Sequence, residues 1–146
     1  MEINQAAPVF ALKEIIIDAP VSKVWQTQAN IEEWPQWQPN ITSVKMNGGL
    51  QPGSTFHWKA QGMTIHSRLH TVESETRIGW TGNSLGMYAI HNWMFEEHGE
   101  KTRAITEESL SGWLTRLMKL FDPHFLDKSM ETALQRLKAR AEENRP

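Results

Sequence analysis

Between Ser54 and Leu110 the chain passes through five short segments of strand character, parted by turn-forming residues, with no stretch long enough for a crossover helix. Parallel strands need connections of a dozen or more residues, whereas antiparallel neighbours need only a few. The segments Ser54–Lys59, Met63–Val72, Thr76–Thr81, Met87–Glu96 and Thr102–Leu110 therefore predict an antiparallel meander. Its connections are Gln61-Gly62, Glu73-Ser74-Glu75, Gly82 to Gly86 and His98-Gly99-Glu100.

Two more strands precede it. Phe10–Ile17 ends in the β-branched run Ile15-Ile16-Ile17, and Ile41–Met46 is followed by the turn Asn47-Gly48-Gly49. Between them Pro20 fits the first turn of a short helix with Val21, Val24 and Trp25 on one face. Asn30 fits the N-cap of a second short helix, which Pro35 and Pro39 confine and which presents Trp34 and Trp37. After Leu110 the period changes to that of a helix. Trp113, Leu114, Leu117, Met118 and Phe121 form one set, and Leu126, Met130, Leu134, Leu137 and Ala141 form another. Asp122-Pro123 parts them, since Asp suits an N-cap and Pro the position after it. The spacing predicts a short helix, a break near Asp122 and a long final helix to about Asn144. The fold class is α+β, and 146 residues suit a single domain over 1–146.

Several function classes fall away. A formal charge of -2, with both signs dispersed, gives no footprint for nucleic acid. The absence of cysteine removes thiolate catalysis and Cys-based zinc sites. His66 and His70 share a strand face with Arg68 between them, which repels a cation, so no metal is expected. Gly48-Gly49 lacks the spacing and following helix of a phosphate loop, no Ser-centred nucleophile elbow appears, and no cofactor is expected. No basic leader or apolar span is visible at the start, where Lys13 and Glu14 interrupt the apolar run; a cytoplasmic protein is the expectation.

The period of two gives each strand an inner face. Phe56 and Trp58 fall together, as do Met63, Ile65, Ser67 and Leu69, then Ile78 and Trp80, then His91, Trp93 and Phe95. Thr64, His66, Arg68 and His70 take the outer phase. Seven tryptophans against one tyrosine suit an amphiphilic cavity, because indole combines a large apolar body with one donor. Trp37, Trp58, Trp80 and Trp93 are its candidate lining, with Ile65 and Ser67 from the long strand and Met130 and Leu134 from the final helix. The competing role of each Trp is core filling, and that of Ser67 is a small residue at a sheet bend. His91 and Glu108 sit on inner phases of two late strands, where an imidazole and a carboxyl orient a polar ligand group or exchange a proton. Their competing roles are a structural pair or a Glu108 facing solvent, so no residue is assigned as catalytic. Trp113–Phe121 is amphipathic and suits a lid packed over the sheet mouth, with membrane contact as the alternative.

Ile17-Asp18-Ala19-Pro20-Val21-Ser22-Lys23-Val24-Trp25, then Ile31-Glu32-Glu33-Trp34-Pro35-Gln36-Trp37, the glycines near Gly53, and Thr102-Arg103 through Glu107-Glu108-Ser109 to Gly112 follow one another in an order that spans nearly the whole chain. In this the chain resembles the START-like, Bet v 1-like superfamily, also called the SRPBCC or polyketide cyclase/dehydrase-like group. The resemblance implies a helix-grip fold, a seven-stranded antiparallel sheet wrapped around a long C-terminal helix, with two short helices sealing one end. Three readings follow from it. One is binding or transport of a hydrophobic or amphiphilic small molecule in a cavity between sheet and helix. The second is a cyclase/dehydrase using His91 and Glu108 as acid and base, and the third is a protein-binding regulator with an exposed apolar patch. No nucleic acid and no stable membrane insertion are expected, and monomer and homodimer stay equally open.

Overall fold

A computed structural model describes residues 1–143. All seven predicted strands form, and they join in a single antiparallel sheet: β1 (Val9–Ile17), β2 (Ile41–Asn47), β3 (Thr55–Ala60), β4 (Met63–Glu73), β5 (Arg77–Ser84), β6 (Met87–His98) and β7 (Lys101–Ser111). The spatial order is β1-β7-β6-β5-β4-β3-β2. Strands β2 to β7 are thus a continuous meander, and β1 pairs with β7, Val9 opposite Leu110 and Ile17 opposite Thr102. Tight turns set the registers: Gln61 and Gly62 both have positive φ, 52° and 78°, as a two-residue hairpin turn requires.

The loop expected over Gly82 to Gly86 is shorter than the sequence suggests. β5 continues through Gly82, Asn83 and Ser84, which pair with Ala89, Tyr88 and Met87, leaving Leu85-Gly86 as the turn. Ladder hydrogen bonds outweigh glycine's turn preference there.

Helix α1 (Val21–Ala29) starts from Pro20 at the cap position and buries Val21, Val24 and Trp25. A 3₁₀ helix over Ile31–Gln36 buries Ile31 and Trp34. Asn30 does not cap it as expected; its side-chain amide donates to Glu33 Oε2 at 2.6 Å instead of accepting from the backbone. Helices α2 (Trp113–Phe121) and α3 (Phe125–Ala141) complete the chain. Asp122 is not the cap of α3. Its carboxylate accepts from the His124 N–H and its carbonyl from the Phe125 N–H, so residues 122–124 form a turn and the helix opens after His124. The helix ends at Ala141, and the expected limit at Asn144 lies outside the described residues.

α3 packs on the concave face of the sheet. Leu134, Leu137 and Ala141 join Ile17, Ile78, Trp93 and Phe95 in the main core, while Leu126 and Met130 join Val9, Ala11 and Leu110 in a second cluster. Burying each Leu or Met contributes about 1.5–3 kcal/mol. The inner phases are those predicted, with Phe56, Ser67, Leu69, Ile78, Trp80, Trp93 and Phe95 buried and Thr64, His66 and Arg68 exposed. His70 departs from its expected solvated position. The register shifts between Leu69 and Thr71, and its half-buried ring lies over Gly79, where an added Cβ would stand 2.4 Å from His70 Cε1.

Candidate ligand-binding site

Residues directly opposed in antiparallel strands share a face, so the registers lay out the concave surface as rows. One row runs Leu69, Trp80, His91, Glu108 and Ala11 across β4, β5, β6, β7 and β1. The next runs Phe56, Ser67, Gly82, Ala89 and Leu110. In its middle stand three of the smallest residues. A Cβ placed on Gly82 would meet Ile65 Cγ2, Ser67 Oγ and Ala89 Cβ at 3.3, 3.5 and 3.7 Å, so this stretch of the sheet is a floor of small side chains.

His91 and Glu108 meet at the edge of that floor, Nδ1 and Oε2 3.6 Å apart, with side-chain exposures of 14% and 16%. His91 Nε2 lies 2.8 Å from Thr106 Oγ1, and the Thr106 hydroxyl donates to the Asn92 carbonyl at 3.3 Å. Thr106 therefore accepts from His91 Nε2–H, which leaves Nδ1 as the acceptor turned toward Glu108. The imidazole is flanked by Trp80 at 5.0 Å and stacks on Trp93 at 5.6 Å. Burial among these rings pushes the Glu108 carboxyl up to about 8 and the His91 imidazole down to about 3. Near neutral pH the two are thus a carboxylic acid and an uncharged imidazole, a proton donor beside a proton acceptor. A third polar group adjoins them. The Trp93 indole N–H is buried without an acceptor among the described residues.

Trp58, Ile65, Ser67, Trp80, His91, Trp93 and Glu108 share the concave face, and Met130 and Leu134 reach it from α3. Within this group the roles divide. Trp80 and Trp93 are almost fully buried and serve the core. Trp58, Ile65, His91 and Glu108 keep partial exposure around the small-residue floor. The Ser67 hydroxyl accepts from Trp58 Nε1 at 3.0 Å, which fixes that indole and leaves the Ser67 O–H to donate. Trp37 packs against the same core but opens on a different, polar pocket of about 340 Å³, shared with Lys23, Glu33 and Arg140. α2 sits at one end of the sheet, with the Leu114 N–H donating to the Gly86 carbonyl in the β5–β6 turn.

Two contributors lie outside the candidate lining named from the sequence. Trp34 is the hub of the aromatic cluster, its ring 5.8 Å from Phe56, 5.5 Å from Trp58 and 5.2 Å from Trp80, with its N–H donating to the Gln28 carbonyl. Thr106, two residues before Glu108 on the same face, fixes the His91 tautomer; its inward phase was the signal that pointed to it.

No curated protein sequence matches the chain. Among solved structures it is similar to a hypothetical protein from Helicobacter pylori, with a TM-score of 0.84 at 20% identity, covering 95% of this chain and 91% of that one. It is also similar to the Zhui aromatase/cyclase from a Streptomyces species (TM-score 0.80, 12% identity, 92% and 93% covered). A START superfamily protein from Mycobacterium smegmatis gives a TM-score of 0.77 at 14% identity, with 92% and 97% covered. At such identities the likeness is one of fold, and it confirms the helix-grip architecture. The family model for polyketide cyclase / dehydrase and lipid transport matches residues 12–142, so the chain belongs to that family.

Proposed function

We propose that the chain binds an uncharged, largely apolar small molecule carrying a hydrogen-bonding oxygen, seated between the floor of Ser67, Gly82 and Ala89 and helix α3. The observation that carries this reading is the His91–Glu108 pair beside that floor, two polar groups held in their uncharged forms. Apolar walls supply affinity in such sites, and a few polar groups fix orientation. The Glu108 O–H donates to a ligand oxygen, and His91 Nδ1 accepts from a ligand hydroxyl. A charged ligand would lose hydration without meeting an opposite charge.

Tryptophan emission and melting temperature, followed across a panel of neutral phenols, polycyclic ketones and isoprenoid alcohols, test it. A binder at 100 times its Kd raises stability by about 2.7 kcal/mol. A panel that moves neither signal defeats the proposal.

A second reading, acid/base catalysis of cyclisation or water loss, is favoured by the chemistry of the same pair: a carboxyl whose proton affinity is raised to about 8 lies beside an imidazole acceptor. It requires that His91→Ala and Glu108→Gln abolish turnover of a linear poly-β-ketone while binding persists. Turnover unchanged in both variants removes it.

A further inference from the structure

Helix α2 buries little of its apolar surface. Trp113, Leu117, Leu120 and Phe121 fall on one side of it and are 60%, 43%, 81% and 84% exposed. Leu85 at the β5–β6 turn, 78% exposed, extends the stripe, because Gly86 is in contact with the Trp113 ring: a Cβ there would stand 2.6 Å from Trp113 Cε2. The opposite side of the helix is its anchored one, with Thr115 buried and its hydroxyl donating to the Ser111 carbonyl. An outward-facing run of Trp, Leu and Phe of this size is not surface filler.

Charge identifies the occupant. Between Gly112 and Phe121 the charged residues are Arg116 and Lys119, with no acidic residue, although the chain as a whole carries -2. Both cations are exposed, and Lys119 also donates to the Pro8 carbonyl. With Pro8, Leu120 and Pro123 they line a groove at the foot of the stripe, so apolar and cationic groups converge there. A second copy of the chain docked symmetrically on this face would set Arg116 and Lys119 against their own equivalents. A bilayer bearing anionic headgroups offers acyl chains to the stripe and phosphates to the cations. Nine residues rise about 14 Å, half the ~30 Å of a hydrocarbon core, so α2 suits the interface plane and not a span.

We propose that α2 and the β5–β6 turn form a surface that docks reversibly on an anionic lipid bilayer, with Trp113, Leu117, Leu120, Phe121 and Leu85 entering the interface and Arg116 and Lys119 meeting phosphate.

The test is flotation of the full chain with vesicles of phosphatidylcholine alone or mixed with phosphatidylglycerol. The protein is expected to float with the mixed vesicles, to release in 0.5 M salt, and to show a blue shift of Trp113 emission that Trp113→Phe removes. Arg116→Gln should weaken binding roughly 5-fold. The double variant Leu120→Asp, Phe121→Asp should weaken it more than ~10-fold. These positions are exposed, so an unchanged melting temperature certifies the variants. Failure to float with either vesicle, or equal flotation of the double variant, overturns the proposal. So does a wild-type dimer that Phe121→Asp converts to monomer, which would assign the stripe to a second copy.

Discussion

Replacing Glu108 by Gln should make the folded chain more stable at pH 7 and above, although a neighbour 3.6 Å away is an imidazole. The sign follows from proton linkage. The Glu108 carboxyl titrates near 8 in the folded chain, against an ordinary value of 4.5. The folded state therefore holds its proton more tightly, and its contribution is fully present below pH 4.5 and lost as pH rises toward 8. Each pH unit in that window costs about 1.4 kcal/mol, so the loss by pH 7 is at most about 3–4 kcal/mol. Water reaching the partly exposed carboxyl lowers this to about 1–3 kcal/mol. Gln keeps the shape and carries no titrating proton. For a chain of this length, about 2–4 °C of melting temperature accompany each kcal/mol, so E108Q should melt about 2–12 °C above wild type at pH 7 and level with it at pH 4.5. His91 supplies the acid limb in both proteins. Its imidazole is held down to about 3, so its contribution is present above pH 6.5 and falls away as pH drops toward 3. Scanning calorimetry of both proteins from pH 4.5 to 8 decides the matter. An E108Q chain that melts below wild type at pH 7 to 8 would mean that Glu108 and His91 form a charged pair, and would refute the uncharged site.

Other residues give further tests. Trp34→Ala removes the hub of the aromatic cluster and should cost about 3–5 kcal/mol in urea unfolding; a loss under 1 kcal/mol would deny it that role. Gly112 has φ 106°, and a Cβ there would stand 2.3 Å from the Gly86 carbonyl oxygen, so Gly112→Ala should cost about 1–3 kcal/mol and expose α2 to proteolysis; an unchanged melting curve and digest would contradict the geometry. Ser67→Ala leaves the Trp58 N–H unpaired and should cost about 1–2 kcal/mol with a shift in indole emission; identical spectra would show that the bond is not made.

The sheet was legible because its signal is local. Alternation put Ser67, Trp80, His91 and Glu108 on one face without any knowledge of their partners. The contact between His91 and Glu108 needed one more step, the β6–β7 register, and that depends on a turn of only Gly99-Glu100 between His98 and Lys101. A turn one residue longer would have separated the pair. Trp34 was not legible as the hub, since it belongs to a short 3₁₀ helix with no period to mark its buried side. Gly82 misled for a related reason. Its preference for turns is intrinsic, whereas the neighbours that hold it in β5, Ile65, Ser67 and Ala89, come from other strands. Of the tryptophans expected to line a cavity, Trp80 and Trp93 are instead almost fully buried in the core, together with Trp34.

The pairing of β1 with β7 bears on how the chain is made. Partners in that ladder are 85 to 101 positions apart in sequence, while each hairpin from β2 to β7 closes within its own neighbourhood. A ribosome delivers β1 long before its partner, so β1 emerges with free backbone groups and no ladder to join. The local hairpins can zip during synthesis, but the rows that hold Ala11 against Glu108 and Val9 against Leu110 can close only after residue 110 has emerged. The edge of the proposed site is therefore the last part of the sheet to be built, and an interrupted chain that stops before β7 has neither the His91–Glu108 pair nor a place for its own first strand.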